Sequence, residues 1–168
     1  MSYRILIPAV ACAALVLPVV GCKSDMDHAD SKPMKTSMAK KSLYDRLGGE
    51  PAITAVVDDF VGRAVADEKV NFFRKGVPNA EWKPSDREVA TFKKHLVQFV
   101  CVASGGPQKY EGESMKEAHK GMKITTAEFN ALAADLAASL DKFKVPAQEK
   151  NELLTAVAGT AKDIVEVP

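Results

Sequence analysis

A Gly105-Gly106-Pro107 corner divides the second half of this chain and restricts its fold more than any other feature. Two glycines followed by proline end a helix, because glycine takes left-handed backbone angles freely and proline has no amide to extend the ladder. Before the corner, Phe92, Leu96, Phe99 and Ala103 recur at helical spacing, which predicts a long helix from about Ser85 to Ala103. Ser85 and Glu88 are spaced as the reciprocal cap of its N-terminus requires. After the corner, the stretch YEGESMKEAHKG at residues 110–121 carries Met115 and His119 on one face of a short helix.

Helical patterns fill the remaining domain, with no useful strand-like alternation and no internal repeat. Ser42 can cap a first short helix ending at Gly48-Gly49. Pro51 sits where a first-turn proline is tolerated, and Ile53, Val56, Val57, Phe60 and Val61 give the next helix an apolar stripe. Phe72-Phe73 follow in a loop. Thr125 or Thr126 caps a helix carrying Phe129, Leu132, Leu136 and Leu140. Beyond Val145-Pro146, a last helix is predicted over Ala147 to Val165. The sum is an all-α fold of helices packed across one another.

The 168 residues leave room for one domain after a processed segment is removed, and 46% hydrophobic content supports a real core. A net charge of +1 argues against a nucleic-acid surface. Lys93-Lys94 and similar short basic runs read as solvated helix faces. Residues 1–21 read as a lipoprotein signal peptide: Arg4 supplies a positive start, Ile5 to Val20 are apolar, and Val19-Val20-Gly21-Cys22 looks like a bacterial lipobox. The apolar run is shorter than the roughly 20 residues of a spanning helix. The expected lipidation site is Cys22, with an ordinary cleaved signal or an uncleaved anchor as alternatives. Any of the three places the domain outside the cytoplasm. Residues 22–41 read as a flexible polar tether, in which His28 and scattered methionines make a poor metal site. The domain is then 42–168, and Cys101, alone in it, reads as a small buried hydrophobe.

A lone histidine such as His119 either caps a helix end or aims a ring nitrogen into an apolar slot, as the proximal ligand of a haem iron does. Residues 43–166 resemble the truncated haemoglobins, specifically group I. The resemblance rests on LYDRLGGEPAI at 43–53, DDFVGRAVAD at 58–67, Phe72-Phe73, and then Gly105-Gly106-Pro107, Tyr110, Gly112, Met115 and His119 in order. It implies a two-over-two helical sandwich around haem b. His119 would be the proximal ligand, Met115 and Tyr110 would line or brace the haem, and Phe72, Phe73 and Phe129 would form aromatic walls. Phe92, Leu96 and Phe99, on the long helix, complete the expected cofactor contacts.

The distal side departs from that family. Counted back from Gly105, His95 falls where cyanobacterial members carry a histidine able to ligate iron, and Leu96 where many carry glutamine. Phe60-Val61 stands where members read Phe-Tyr, so the tyrosine that donates to bound dioxygen is missing. His95 is therefore either a sixth iron ligand, a donor to a bound diatomic, or a residue pointing outward with Lys94. The stretch from Arg74 to Glu88 is longer than usual. The resemblance implies a globin that reversibly binds dioxygen or another diatomic gas, and the lipobox-like start implies a place at the periplasmic face of the cell envelope, with the outer membrane favoured by Lys23 after the cysteine. A bis-histidyl electron-transfer or redox-sensing protein, served by an unidentified electron donor, and a nitric oxide dioxygenase are the alternatives.

Overall fold

The structure, a computed structural model, describes residues 41–168. The signal peptide, Cys22 and the tether up to residue 40 lie outside the described residues. Helix α1 (Leu43–Leu47) starts at Ser42, whose Oγ accepts the Asp45 amide at 3.1 Å while the Asp45 carboxylate accepts the Ser42 amide at 3.3 Å. Gly48, at φ +95°, ends α1 and starts α2 (Gly49–Ala66) in the same residue. A side chain there would be strained by that angle, so this glycine is what lets two helices abut.

Helix α3 (Asp86–Ala103) begins at the expected Ser85–Glu88 box, and α5 (Thr126–Lys142) at a Thr125–Glu128 box that selects Thr125 over Thr126 as the cap. Between them lies a single turn, α4 (Met115–Ala118). The predicted last helix over Ala147 to Val165 is in fact two, α6 (Ala147–Ala158) and α7 (Ala161–Ile164). The Thr160 hydroxyl donates to the Val157 carbonyl at 2.6 Å, and this local bond competes with the helix ladder where Gly159 already weakens it. Only one isolated bridge, Thr125 with Val167, pairs extended backbone among the described residues.

α2 is the centre of the core. Its Ile53, Val56, Val57, Phe60, Val61 and Ala64 are buried against Val97, Val100 and Cys101 of α3, Leu136 and Leu140 of α5, and Leu153 of α6. α2 packs on both α3 and α5, and α5 packs on α6, which gives the two-over-two sandwich. Burying each of the valine, leucine, isoleucine and phenylalanine side chains contributes about 1.5–3 kcal/mol before entropy is counted. Polar links fix the layers. Asp59 of α2 accepts from Ser139 at 2.9 Å and pairs with Arg63 at 2.8 Å and with Lys142, and Lys142 above all holds its carboxyl far below the ordinary range. Arg46 of α1 pairs with Glu149 of α6 at 2.8 Å and with Glu152. No described helix is long and apolar enough to cross a membrane.

Candidate functional site

The glycine corner is a docking joint. Tyr44 of α1 donates its amide to the Ser104 carbonyl at 2.8 Å, and Gln108 donates to the Tyr44 hydroxyl at 2.9 Å. A Cβ on Gly106 would lie 2.6 Å from the Tyr44 ring and 2.8 Å from the Cys101 carbonyl oxygen, so only glycine fits. Three residues past Pro107, the Tyr110 ring folds over Gly112, where a Cβ would lie 2.4 Å from its hydroxyl. Tyr110 thereby reaches α3, meeting Phe99 edge-on at 6.0 Å and His95 at 6.3 Å.

Ser114 caps α4 by accepting the Glu117 amide at 3.2 Å, and His119 ends that turn at φ −109°, ψ 0°. The His119 backbone amide lies 3.2 Å from the Met115 carbonyl, and its ring Nδ1 lies 2.7 Å from the same oxygen. A carbonyl can only accept, so the ring nitrogen facing it carries the proton. Nε2 is left with its lone pair free. Here the sequence spacing of Met115 and His119 was informative for a different reason than side-chain contact, since the backbone oxygen of Met115 is what orients the ring.

The expected wall residues divide into two sets. Phe92, Leu96 and Phe99 of α3, together with Phe72, pack on the core yet stay only partly buried, and Phe73, Tyr110, Met115 and His119 are partly buried too. Phe60, Val61 and Phe129 are instead buried, the first two inside the main core. The half-covered aromatics continue into a cluster that sequence reasoning missed: Phe72 meets Phe73 at 5.4 Å, Phe92 at 5.6 Å and Trp82 at 5.8 Å. Trp82, the sole tryptophan, is anchored by its amide to the Phe73 carbonyl at 2.9 Å. Its only sequence signal was an aromatic set in the unusually long stretch from Arg74 to Glu88.

His95 is less exposed than Lys94. Lys94 is exposed and pairs with Glu111 at 2.7 Å, holding that carboxyl down to about 2, whereas the His95 ring is partly buried against Tyr110. Lys93 pairs with Asp58 at 2.8 Å. Cys101 is fully buried, and burial pushes its thiol up to about 11, which keeps it a packing residue.

Among the described residues no group of three or more His, Cys, Asp or Glu is placed to hold a metal ion. A single imidazole is one donor, so a metal held at His119 would need its other donors from elsewhere, as a metal carried in a macrocycle has. Aromatic and aliphatic faces left half-covered on the α3 stripe suit the flat apolar surface of such a group. Fold and site together fit one class, the all-α proteins that hold an iron macrocycle through one histidine.

Comparison with known proteins resolves the class. Residues 42–166 match the family model described as bacterial-like globin. The chain is 36% identical to the group 1 truncated hemoglobin of Mycolicibacterium paratuberculosis, over 73% of this chain and 83% of the relative. With the group 1 truncated hemoglobin of Synechocystis it shares 32% identity over 71% of this chain and 89% of that one. The crystal structure of Tetrahymena pyriformis truncated hemoglobin in its Fe(III) form superposes with a TM-score of 0.64 at 33% identity, covering 74% of this chain and 98% of that one. The chain belongs to the bacterial-like globins and, among them, to the group 1 truncated haemoglobins, and haem b is its cofactor.

Proposed function

We propose that this domain reversibly binds dioxygen or another diatomic gas on haem held by His119, at the periplasmic face of a bacterial envelope where Cys22 anchors it in lipid. One observation carries the reading: the 2.7 Å bond from His119 Nδ1–H to the Met115 carbonyl leaves Nε2 as a free, oriented donor. Bound haem supplies an iron with a position opposite the histidine for the gas. The chain's own residues do the rest. Phe72, Phe73, Phe92, Leu96, Phe99, Tyr110 and Met115 would wall the macrocycle and exclude water. Val61 and Leu96 offer no hydrogen-bond donor, so His95 is the polar side chain left to act on the distal side.

His95 supports a second reading, a bis-histidyl redox protein, because its ring is partly buried beside Tyr110, which in turn meets Phe99. If it occupies the sixth position, gas must compete with it, and apparent affinity falls by the fraction of open protein. Absorption spectra of the ferric and ferrous protein, with and without His95→Ala, test both. A six-coordinate low-spin spectrum that becomes five-coordinate high-spin in the variant supports ligation. An unchanged ferrous spectrum with faster dioxygen release supports hydrogen bonding to the gas. A variant equal to the parent in both excludes His95 from the distal side. Lipid anchoring is checked by mass spectrometry of the membrane fraction. An acylated N-terminus at Cys22 is expected, and an unmodified chain retaining residues 1–21 would refute the anchor.

A further inference from the structure

The turn that follows His119 is strained and tied on two sides. Gly121 and Lys123 adopt φ +79° and +52°, and left-handed angles in a lysine persist only where the surroundings impose them. On one side the Glu166 carboxylate accepts the Gly121 and Lys123 amides, each at 2.7 Å. On the other, Arg74 donates Nε–H to the Met122 carbonyl at 3.0 Å and Nη2–H to the Lys123 carbonyl at 3.2 Å. Its remaining fork arm, Nη1, donates to Glu128 at 2.7 Å. Arg74 is only 5% exposed and itself sits at φ +52°. The turn closes on the histidine directly, since the Met122 amide donates to the His119 carbonyl at 3.1 Å.

Arg74 also follows Phe72-Phe73 in the chain and donates its amide to the Asn71 carbonyl at 2.8 Å, while Trp82 is bound to Phe73. A single buried guanidinium therefore joins the loop of the aromatic wall to the turn behind the proximal histidine. An arginine is suited to this, because its planar fork presents several donors in fixed directions, whereas a lysine offers one flexible point charge.

We propose that Arg74, seconded by Glu166, is a positioning residue that holds His119 in its iron-binding orientation and locks the aromatic wall to the proximal turn. This rests on the reading of His119 as the iron ligand. The test uses the full chain and the variants Arg74→Met, Arg74→Lys and Glu166→Gln, with two readouts. Imidazole nitrogen NMR of the haem-free protein reports which His119 nitrogen is protonated. Haem transfer from the ferric protein to a scavenging apoprotein reports retention.

The expected result is a parent His119 held with its proton on Nδ1, and a shift towards protonation on Nε2 in Arg74→Met. Haem transfer should become about tenfold faster, the change expected when about 1.4 kcal/mol of the holding supplied by the three hydrogen bonds of Arg74 is lost at the histidine. Arg74→Lys and Glu166→Gln should fall between parent and Arg74→Met in both readouts. An unchanged His119 tautomer or an unchanged transfer rate in folded Arg74 variants overturns the proposal. If Arg74→Met does not fold, Arg74→Lys and Glu166→Gln decide by the same criteria. A parent that takes up no haem overturns the haem reading, and the tautomer readout still decides whether Arg74 orients the ring.

Discussion

The two sides of this site are built by different physics. The proximal corner is a mesh of directional bonds: one turn of helix, a ring fixed to a backbone oxygen, and a strained loop held by Arg74 and Glu166. The wall opposite is a row of aromatic faces, Phe72, Phe73, Trp82 and Phe92, with ring centroids 5.4 to 6.3 Å apart. Aiming one lone pair needs angles, which hydrogen bonds supply and apolar contact does not. Covering a flat apolar surface needs area, which rings supply at low entropy cost. The residues that matter on the first side are therefore polar and far apart in sequence, and those on the second are apolar and clustered.

This contrast can be broken most forcefully at Glu128. Its carboxylate pairs with the buried Arg74 and also caps α5 through Thr125. Removing it in Glu128→Ala strands a buried charge, and chemical denaturation should show a loss of about 3 kcal/mol, the lower end for breaking a buried pair because Glu128 is partly exposed. A loss no greater than that of an ordinary surface substitution would mean that the polar mesh contributes little.

Trp82→Leu probes the wall. Its contacts with Phe72 and Phe92 are worth about 1–2 kcal/mol together beyond the area they bury. Haem release should accelerate while the His119 ring keeps its proton on Nδ1. A change in that tautomer would show that the two sides are not built independently of the wall's packing.

Acid should separate the sides more gently. The Gly121 and then the Lys123 amides hold the Glu166 carboxyl below its ordinary value. Burial works to raise Glu128, but the Thr125 amide and Arg74 outweigh it, so its carboxyl is lowered too. For carboxyls depressed on folding, the stabilisation is complete above the unfolded value of about 4.3 and fades as pH falls through the lower folded value. Amide exchange at Gly121 and Lys123 in the haem-free protein should therefore outpace its intrinsic pH dependence only below about pH 4. Trp82 emission should stay constant over the same range.

The same distinction explains what the sequence revealed. The box at Ser85, the cap at Ser42, the choice of cap between Thr125 and Thr126, the glycine corner and the apolar stripes of α2, α3 and α5 are local, written in residues three or four apart, and the structure has them where expected, with Thr125 the cap. His119 and its helix were legible for that reason as well. Arg74 was not, since its acceptors at Met122, Lys123 and Glu128 lie 48 to 54 positions away. Nor was the break at Gly159-Thr160, which turns on one threonine hydroxyl choosing the Val157 carbonyl. Phe60 and Val61, expected at the distal pocket, belong to the same core cluster on which Phe72, Phe92, Leu96 and Phe99 pack. Apolar stripes say which face is buried without saying against what.

His119→Ala tests the central claim, that this one imidazole holds the iron. The purified variant is expected to take up little or no haem, because no proximal donor remains. Added imidazole should partly restore both the bound cofactor and its ferric and ferrous absorption spectra. A variant that retains haem with the parent's spectra, without imidazole, would contradict it.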